Sequence, residues 1–184
     1  MHAKKLAKEV VGVEPELRVQ NHLQGHIKIY HNLSSVARER DFDLITAFHV
    51  IEHLPDPRSI LLEMREVLSP QGRIVIEVPS SSDALLTLYE CEPFAHFTYW
   101  SQHLYLFNAS TLERLVQHTG LSLIAVKQYQ RYPLSNHLYW LNRGKPGGHQ
   151  HWDFLDSPQL QEAYANSLAS IGKSDTLIAW LEKE

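Results

Sequence analysis

Apolar residues in the first half of the chain follow two different spacings, which predict different elements. The run DLITAFHV (43–50) is apolar at most positions, as is typical of a strand buried in a parallel sheet. A helix is predicted next by apolar residues at three- and four-residue intervals, namely Ile60, Leu61, Met64, Val67 and Leu68. A second apolar run follows at Arg73–Val78. Strand, helix and strand in this order predict a βαβ unit, so we expect an α/β fold with parallel strands.

Other patterns predict the remaining elements. Asp56 is expected to cap the first helix, which would begin at Pro57. Further helices are predicted at Met1–Glu9, Ser110–Thr119 and Pro158–Ser170, and further strands at Val10–Val13, His26–Tyr30, Leu121–Tyr129 and His137–Leu141. We divide the chain into a domain at 1–142, with an aromatic-rich insertion at 80–103, and a helical tail at 143–184.

Composition narrows the classes of function. With 184 residues, 43% of them hydrophobic and 21% charged, the chain has the make-up of one globular domain. A net charge of -4 argues against a broad basic surface, so we expect a small-molecule substrate and no nucleic acid partner. The single cysteine, Cys91, excludes an internal disulfide, and we predict no metal site from it. The sequence shows no signal peptide or membrane span, which predicts a cytoplasmic protein without a membrane partner.

Four segments together resemble the class I S-adenosylmethionine-dependent methyltransferases in order and spacing. They are VVGVEPE (10–16), FDLITAFHVIEHLPDP (42–57), LLEMREVLSPQGRIVIEVPS (61–80) and FNASTLERLVQHTGLSLIAV (107–126). The resemblance implies a Rossmann-like, doubly wound and mostly parallel sheet, S-adenosylmethionine as cofactor, and methyl transfer to a small molecule. The tail segments NHLYWLNRGKPGGHQHW and GKSDTLIAW are similar to a narrower subgroup that modifies sugars or polysaccharide precursors.

By this resemblance, the cofactor site would lie at the carboxyl ends of the strands, where ligands of open α/β sheets bind. The residues implied are Glu14, Tyr30, His31, Phe48, His49 and Val50. Glu14 would accept hydrogen bonds from both ribose hydroxyls, because a carboxylate has two oxygens side by side. Tyr30 and His31 would lie near the adenine, and the other three near the methionine and methyl end.

Three histidines are candidates for taking a proton from the methyl acceptor, namely His53, His96 and His103. Imidazole suits this role because it titrates near neutral pH. The stretch FAHFTYWSQHLYLF (94–107) could form the wall of an acceptor pocket. Histidines and aromatic residues also occur as structural or surface residues, so residue type alone does not assign these roles.

The sequence departs from the family in lacking the first strand and its glycine-rich cofactor loop. We therefore interpret the chain as truncated at its amino terminus, with impaired activity. Two strand edges would be unpaired unless the second family strand moved over to pair with the fourth, and exposed edges favour a homo-oligomer.

One alternative to a working methyltransferase is a non-catalytic domain that acts through protein contacts. Another is a zinc hydrolase using His49, Glu52 and His53, although a strand before this motif and prolines after it disfavour a helix there.

Overall fold

The computed structural model describes residues 7–23, 25, 27–36, 41–100 and 102–184. Its strands are β1 (Val11–Val13), β2 (Lys28–Tyr30), β3 (Phe42–Phe48), β4 (Leu68–Pro79), β5 (Leu121–Tyr129) and β6 (Thr176–Lys183). Its helices are α1 (Leu17–Leu23), α2 (Leu33–Val36), α3 (Pro57–Val67), α4 (Ala84–Thr87), α5 (Glu92–Thr98), α6 (Ala109–Val116), α7 (Leu134–Arg143), α8 (Gly148–His151) and α9 (Pro158–Ser170). In the described part of the chain, 3-10 turns lie at Ile51–His53 and Asp153–Leu155. The predicted α/β fold class is confirmed.

The larger sheet has four strands in the order β3-β4-β6-β5. β3 and β4 are parallel, and β6 is antiparallel to both of its neighbours, β4 and β5. β3, β4 and β5 therefore run in one direction and β6 opposes them, so the sheet is mixed but mostly parallel, as the sequence predicted. The antiparallel strand arises because the chain returns after α9 and inserts β6 between β4 and β5, which come earlier in the sequence.

A separate two-stranded sheet is formed by β1 and β2, which are parallel. Among the described residues β1 does not pair with β3, so the proposed shift of the second family strand onto the fourth is wrong. Helix α2 lies between the two sheets, since it contacts both β2 and α3. Its Leu33 packs against the core of the larger sheet, and its Val36 is buried.

The unit β3-α3-β4 confirms the predicted βαβ arrangement. Asp56 caps α3, because its side chain accepts a hydrogen bond from the backbone N–H of Ser59 at 3.1 Å. The predicted apolar face of α3 is buried against the sheet through Leu61, Met64 and Val67. Helix α3 therefore packs on the sheet between the 3-10 turn that precedes it and β4, which follows it.

Strand β3 is more exposed than the apolar run predicted. Leu44 is 58% exposed and Phe48 is 52% exposed, whereas Ala47 is buried. The prediction of a strand buried on both faces was wrong. β3 is an edge strand whose partner is β4, and one of its faces is largely uncovered among the described residues.

The carboxyl-terminal third contains two elements that the sequence assigned differently. The segment predicted as a strand at 137–141 lies within α7, which begins after Pro133 and ends at Gly144, a residue in the left-handed conformation with φ 64°. Its buried residues Asn136, His137, Tyr139 and Trp140 recur at helical spacing. The tail contains the predicted helix α9, but it also contributes the strand β6.

The aromatic insertion contains two short helices, α4 and α5, rather than sheet. Leu85 and Cys91 pack with Trp140 of α7 in a small second core, which Phe94 covers in part. Residues 1–6 of the predicted first helix lie outside the described residues. In the described part of the chain, no helix has the length and apolar character needed to cross a membrane.

Helix α6 begins with a reciprocal capping arrangement. The Asn108 side chain accepts from Thr111 N at 2.9 Å, and Thr111 Oγ1 accepts from Asn108 N at 2.8 Å. We expect Asn108→Ala to lower the free energy of unfolding by about 1 kcal/mol, because the backbone N–H of Thr111 loses the side-chain oxygen that accepts its hydrogen bond. Urea denaturation would measure this loss, and Asn108→Asp should retain most of the stability. Equal unfolding midpoints for the alanine variant and the natural chain would contradict the prediction.

Candidate functional site

The carboxyl ends of β1 and β2 bring the first predicted cofactor residues together. Glu14 follows β1, and its backbone N–H donates to Tyr30 O at 2.9 Å across the two strands. Its side chain is partly buried and accepts from Glu16 N at 2.8 Å through Oε1. Gln20 of α1 donates to the Glu14 carbonyl oxygen. Strand, loop and helix therefore hold the Glu14 carboxylate at the strand end where a ribose was predicted to bind.

Tyr30 and His31 occupy the neighbouring strand end. The Lys28 ammonium lies 4.8 Å from the centre of the Tyr30 ring. His31 is exposed, and its Nδ1 lies 3.3 Å from Gln20 Nε2, so it shares a partner with Glu14. The structure thus brings these three predicted residues to one edge of the small sheet. Their cofactor contacts stay a prediction.

The carboxyl end of β3 presents Phe48, His49 and Val50. Phe48 and Val50 are exposed, whereas His49 is partly buried and donates its backbone N–H to Glu77 O at 2.9 Å. His49 has φ 53°, a left-handed conformation that is uncommon for a residue with a side chain and occurs often at functional sites. This conformation ends β3 at Phe48 and directs the chain into the 3-10 turn.

The His49 imidazole lies between two carboxylates. Its Nδ1 is 3.2 Å from Glu52 Oε1, and its Nε2 is 3.2 Å from Glu77 Oε1. Arg131 forms an ion pair with the same Glu77 oxygen. A neutral imidazole has only one N–H to donate, so two carboxylate partners favour the charged ring. The hydrogen bond to Glu52 raises the pKa of His49, against the opposing effects of burial and of the Arg131 charge.

A second cluster of polar side chains lies at the carboxyl-terminal end of the 3-10 turn. Glu52, His53 and His103 each offer a ligand atom, and these atoms all lie within 4.8 Å of one another. The ring centres of His53 and His103 are 5.0 Å apart. The third predicted proton acceptor, His96, is not part of this group. Its side chain is 80% exposed and pairs with Glu92 on the surface of α5.

The geometry does not support a zinc site formed by the H-x-x-E-H motif, which was an alternative interpretation of the sequence. That reading needs His49 and His53 on one face of a helix. His49 instead lies before the 3-10 turn, and both of its ring nitrogens contact carboxylates. The residue that joins Glu52 and His53 is His103, which comes from a distant part of the sequence.

Sequence reasoning missed Glu77 and Arg131. The signal for Glu77 was a charged residue inside the apolar run RIVIEVP, since a buried carboxylate in a strand requires a partner. Nothing in the sequence near Arg131 identified it as that partner, because the register of the four-stranded sheet brings the end of β5 close to β4 through β6. Glu77 contacts the His49 ring from the side of the sheet, and Arg131 pairs with Glu77.

Three aromatic side chains of the insertion are exposed, and one of them contacts the histidine group. Phe97, Tyr99 and Trp100 are 58%, 63% and 46% exposed, respectively. The Trp100 ring lies edge-on to His103 at 5.7 Å between ring centres. The role of this segment as the wall of an acceptor pocket stays a prediction.

A separate buried polar network lies beneath the insertion. The Asp175 carboxylate accepts hydrogen bonds from the backbone N–H groups of Arg131 and Tyr132 at 2.9–3.1 Å, and from the Gln130 side chain at 2.9 Å. Asp83 caps α4 by accepting from Leu85 N at 2.6 Å. Burial raises the pKa of Asp83 to about 7, with a smaller contribution in the same direction from the Asp175 charge.

The pKa of Asp83 predicts a pH dependence of stability. Unfolded chains release this proton near pH 4, whereas the folded chain keeps it up to about pH 7, so its stabilising effect is lost as pH rises through this window. The loss should be on the order of a few kcal/mol. Asp83→Asn retains an acceptor for the helix cap but cannot titrate.

The prediction is tested by urea denaturation at a series of pH values. As pH rises from about 4 to about 7, the free energy of unfolding of the natural chain should fall relative to that of Asp83→Asn. The comparison cancels the contribution of His137, whose pKa burial lowers to about 4 and whose effect has the opposite sign. A difference that does not change with pH would contradict the prediction.

Comparison with known proteins gives one family and many related structures. The sequence profile of a family described as "methyltransferase domain" matches residues 1–126. No curated protein matches the sequence. A methyltransferase from Archaeoglobus fulgidus that depends on S-adenosylmethionine aligns with TM-score 0.59 at 14% identity, over 94% of this chain and 75% of the other. A TehB-like methyltransferase from Corynebacterium glutamicum aligns with TM-score 0.54 at 16% identity, over 100% and 72%.

A third structure contains a bound cofactor product. The N-methyltransferase NodS from Bradyrhizobium japonicum, in complex with S-adenosyl-L-homocysteine, aligns with TM-score 0.52 at 16% identity, over 98% of this chain and 71% of the other. At these identities the structural matches establish a shared fold. The family follows from the sequence match, which covers more than half of the chain.

Proposed function

Because the chain belongs to the methyltransferase domain family and its cofactor is S-adenosylmethionine, we propose that it methylates a small-molecule acceptor bound beside His53 and His103. The observation that carries this proposal is the pair of imidazoles at 5.0 Å, which lies near the end of β3 and in contact with the exposed Trp100 ring. The cofactor supplies an activated methyl group on a sulfonium.

The cofactor proposal assigns a ribose contact to Glu14. Its carboxylate lies at a strand end, is held by the loop before α1, and can accept two hydroxyl hydrogens. Tyr30 and His31, at the adjacent strand end, are proposed to line the adenine. Phe48, His49 and Val50 are proposed to lie at the methyl end.

Methyl transfer is an in-line displacement, so the protein acts mainly by aligning the acceptor and excluding water. In His53 and His103 the Nδ1 atom faces a backbone carbonyl oxygen, at 2.7 Å for Gln102 O and 2.8 Å for Thr98 O. A carbonyl can only accept, so Nδ1 carries the proton and Nε2 keeps its lone pair. These Nε2 atoms are proposed to take the proton of the acceptor.

The acceptor class is proposed from the aromatic rings and from the tail segments. Exposed rings of Phe97, Tyr99 and Trp100 offer apolar faces of the kind that pack against the C–H face of a sugar ring. A sugar or polysaccharide precursor agrees with the similarity of residues 136–152 and 172–180 to enzymes that modify such molecules. Hydroxyl acceptors also need a proton acceptor, which the two histidines provide.

Cofactor binding is the first experimental test. Titration calorimetry of the 184-residue chain with S-adenosylmethionine and with S-adenosylhomocysteine should show one binding site per chain. Methyl transfer is then measured with labelled donor against sugars, sugar nucleotides and amines. Binding with transfer to the hydroxyl compounds supports the proposal. Absence of binding at millimolar cofactor would favour a non-catalytic domain, and transfer to amines alone would exclude the proposed acceptor class.

A further inference from the structure

Glu52 is a buried carboxylate with one oxygen unsatisfied. The residue is 0% exposed, its Oε1 lies 3.2 Å from His49 Nδ1, and its Oε2 has no hydrogen-bond partner among the described residues. Leaving a buried acceptor without a partner costs about 1–3 kcal/mol, and more when the group is charged. A native fold that retains such a group usually accounts for it by a catalytic role or by a water molecule or ion bound to it.

Two further histidines close to Glu52, namely His53 and His103, have their tautomers set by backbone carbonyl groups. The Gln102 and Thr98 carbonyl oxygens take the Nδ1 protons of His53 and His103, so both Nε2 lone pairs are free to bind a ligand. Histidines that bind metals have this arrangement, in which a backbone carbonyl orients the ring through its other nitrogen. His53 Nε2 lies 3.8 Å from the Glu52 carboxylate.

Backbone hydrogen bonds hold the two parts of the group together. The carbonyl oxygen of Glu52 accepts from Leu104 N at 2.9 Å and from Tyr105 N at 3.2 Å. The Tyr105 hydroxyl donates to Pro55 O at 3.1 Å. The segment that carries His103 is therefore fixed to the 3-10 turn that carries Glu52 and His53, and the group is a property of the fold rather than of mobile side chains.

We propose that Glu52, His53 and His103 bind a divalent transition-metal ion of the zinc type. Two imidazole nitrogens and one carboxylate oxygen are a ligand set for such ions, whereas Mg²⁺ and Ca²⁺ take oxygen ligands. Their ligand atoms lie within 4.8 Å of one another, and bonds of about 2.0–2.2 Å to one ion would draw these atoms closer together. Three protein ligands leave a coordination position for water or for a hydroxyl of the acceptor.

The proposed ion would change the role of the two histidines in the proposed methyl transfer. A hydroxyl bound to a divalent ion loses its proton more readily, so the ion would replace the imidazoles in activating the acceptor. This consequence rests on the proposed function, but the metal site itself does not. The two proposals can therefore fail separately.

The site is tested by titrating the metal-stripped chain with Zn²⁺ in a calorimeter, without cofactor. We expect one tight site per chain, and we expect His53→Ala and His103→Ala each to weaken it by at least about 100-fold, because loss of even an outer-shell partner costs 10–100-fold. Glu52→Gln retains the side-chain volume and should also weaken binding. The control is His96→Ala, which removes the exposed pair with Glu92 and should leave the tight site unchanged.

A second measurement guards against misfolded variants. Co²⁺ added to the natural chain should give visible ligand-field absorption that Zn²⁺ displaces, and thermal unfolding should show that each variant is folded without metal. Zinc binding that is equally tight in the His53→Ala, His103→Ala double variant would overturn the inference. So would a loss of the tight site in His96→Ala, which would place zinc at the exposed pair. Cofactor binding that persists without metal would leave the proposed function intact.

Discussion

Glu14→Ala is expected to weaken S-adenosylmethionine binding by roughly 30- to 1000-fold, because two charge-assisted hydrogen bonds to the ribose would be lost. This corresponds to about 2–4 kcal/mol for the pair of bonds. The expectation depends on the place of Glu14 at the end of β1, beside Tyr30 of the adjacent strand. Titration calorimetry with S-adenosylhomocysteine would measure it.

The controls separate a ribose contact from a structural role. Glu14 Oε1 also accepts from Glu16 N, so alanine could disturb the start of α1. Glu14→Gln retains an oxygen for this bond but loses one of the two ribose acceptors, so it should bind with intermediate affinity. Glu16→Ala removes the same charge two positions away and should bind normally. Unchanged affinity in Glu14→Ala would show that Glu14 does not hold the ribose.

Gly148→Ala is expected to lower the free energy of unfolding by about 3 kcal/mol or more, because a methyl group would be forced against backbone. An added Cβ would lie 2.5 Å from Tyr139 Cβ and 2.6 Å from Asn136 Cα, and it would also collide with the Ser135 carbonyl oxygen. These atoms belong to α7 and cannot rotate away as a flexible side chain could. The close packing of α8 on α7 therefore requires glycine.

The matched control is Gly172→Ala. An added Cβ there meets nothing within 4 Å, and the cost comes from its φ of 68°, which should amount to about 1–2 kcal/mol. Urea denaturation of both variants would separate the cost of the close approach from that of the backbone conformation. If Gly148→Ala were no less stable than Gly172→Ala, α7 and α8 would not be packed as described.

Local patterns predicted most elements of the fold. The spacing of Leu61, Met64 and Val67 and the cap at Asp56 predicted α3, and the Pro158–Ser170 helix was also correct. α7 was missed because its aromatic and apolar residues have high strand propensity, which tertiary packing overrides. The antiparallel insertion of β6 was not predictable, since strand order in a sheet is a long-range property that no local window contains.

The site was predictable only in part, for a similar reason. A strand followed by His49 and the 3-10 turn pointed to a functional strand end, and two of three candidate histidines, His53 and His103, do lie together. His96 looked equivalent in sequence but faces away on the exposed side of α5. The partners Glu77 and Arg131 depend on the register of separate strands. Residue types are visible in a sequence, whereas the pairs they form are not.

The placement of β6 affects the order in which the strands of the larger sheet can pair during folding. Ile74 pairs with Leu181, so more than half of the chain lies between these partners. β4 and β5 cannot be joined until residues up to 183 have left the ribosome, because β6 lies between them. The four-stranded sheet must therefore be completed late, after a slow search for distant contacts. Until then, the edges of β4 and β5 that pair with β6 lack their partner strand.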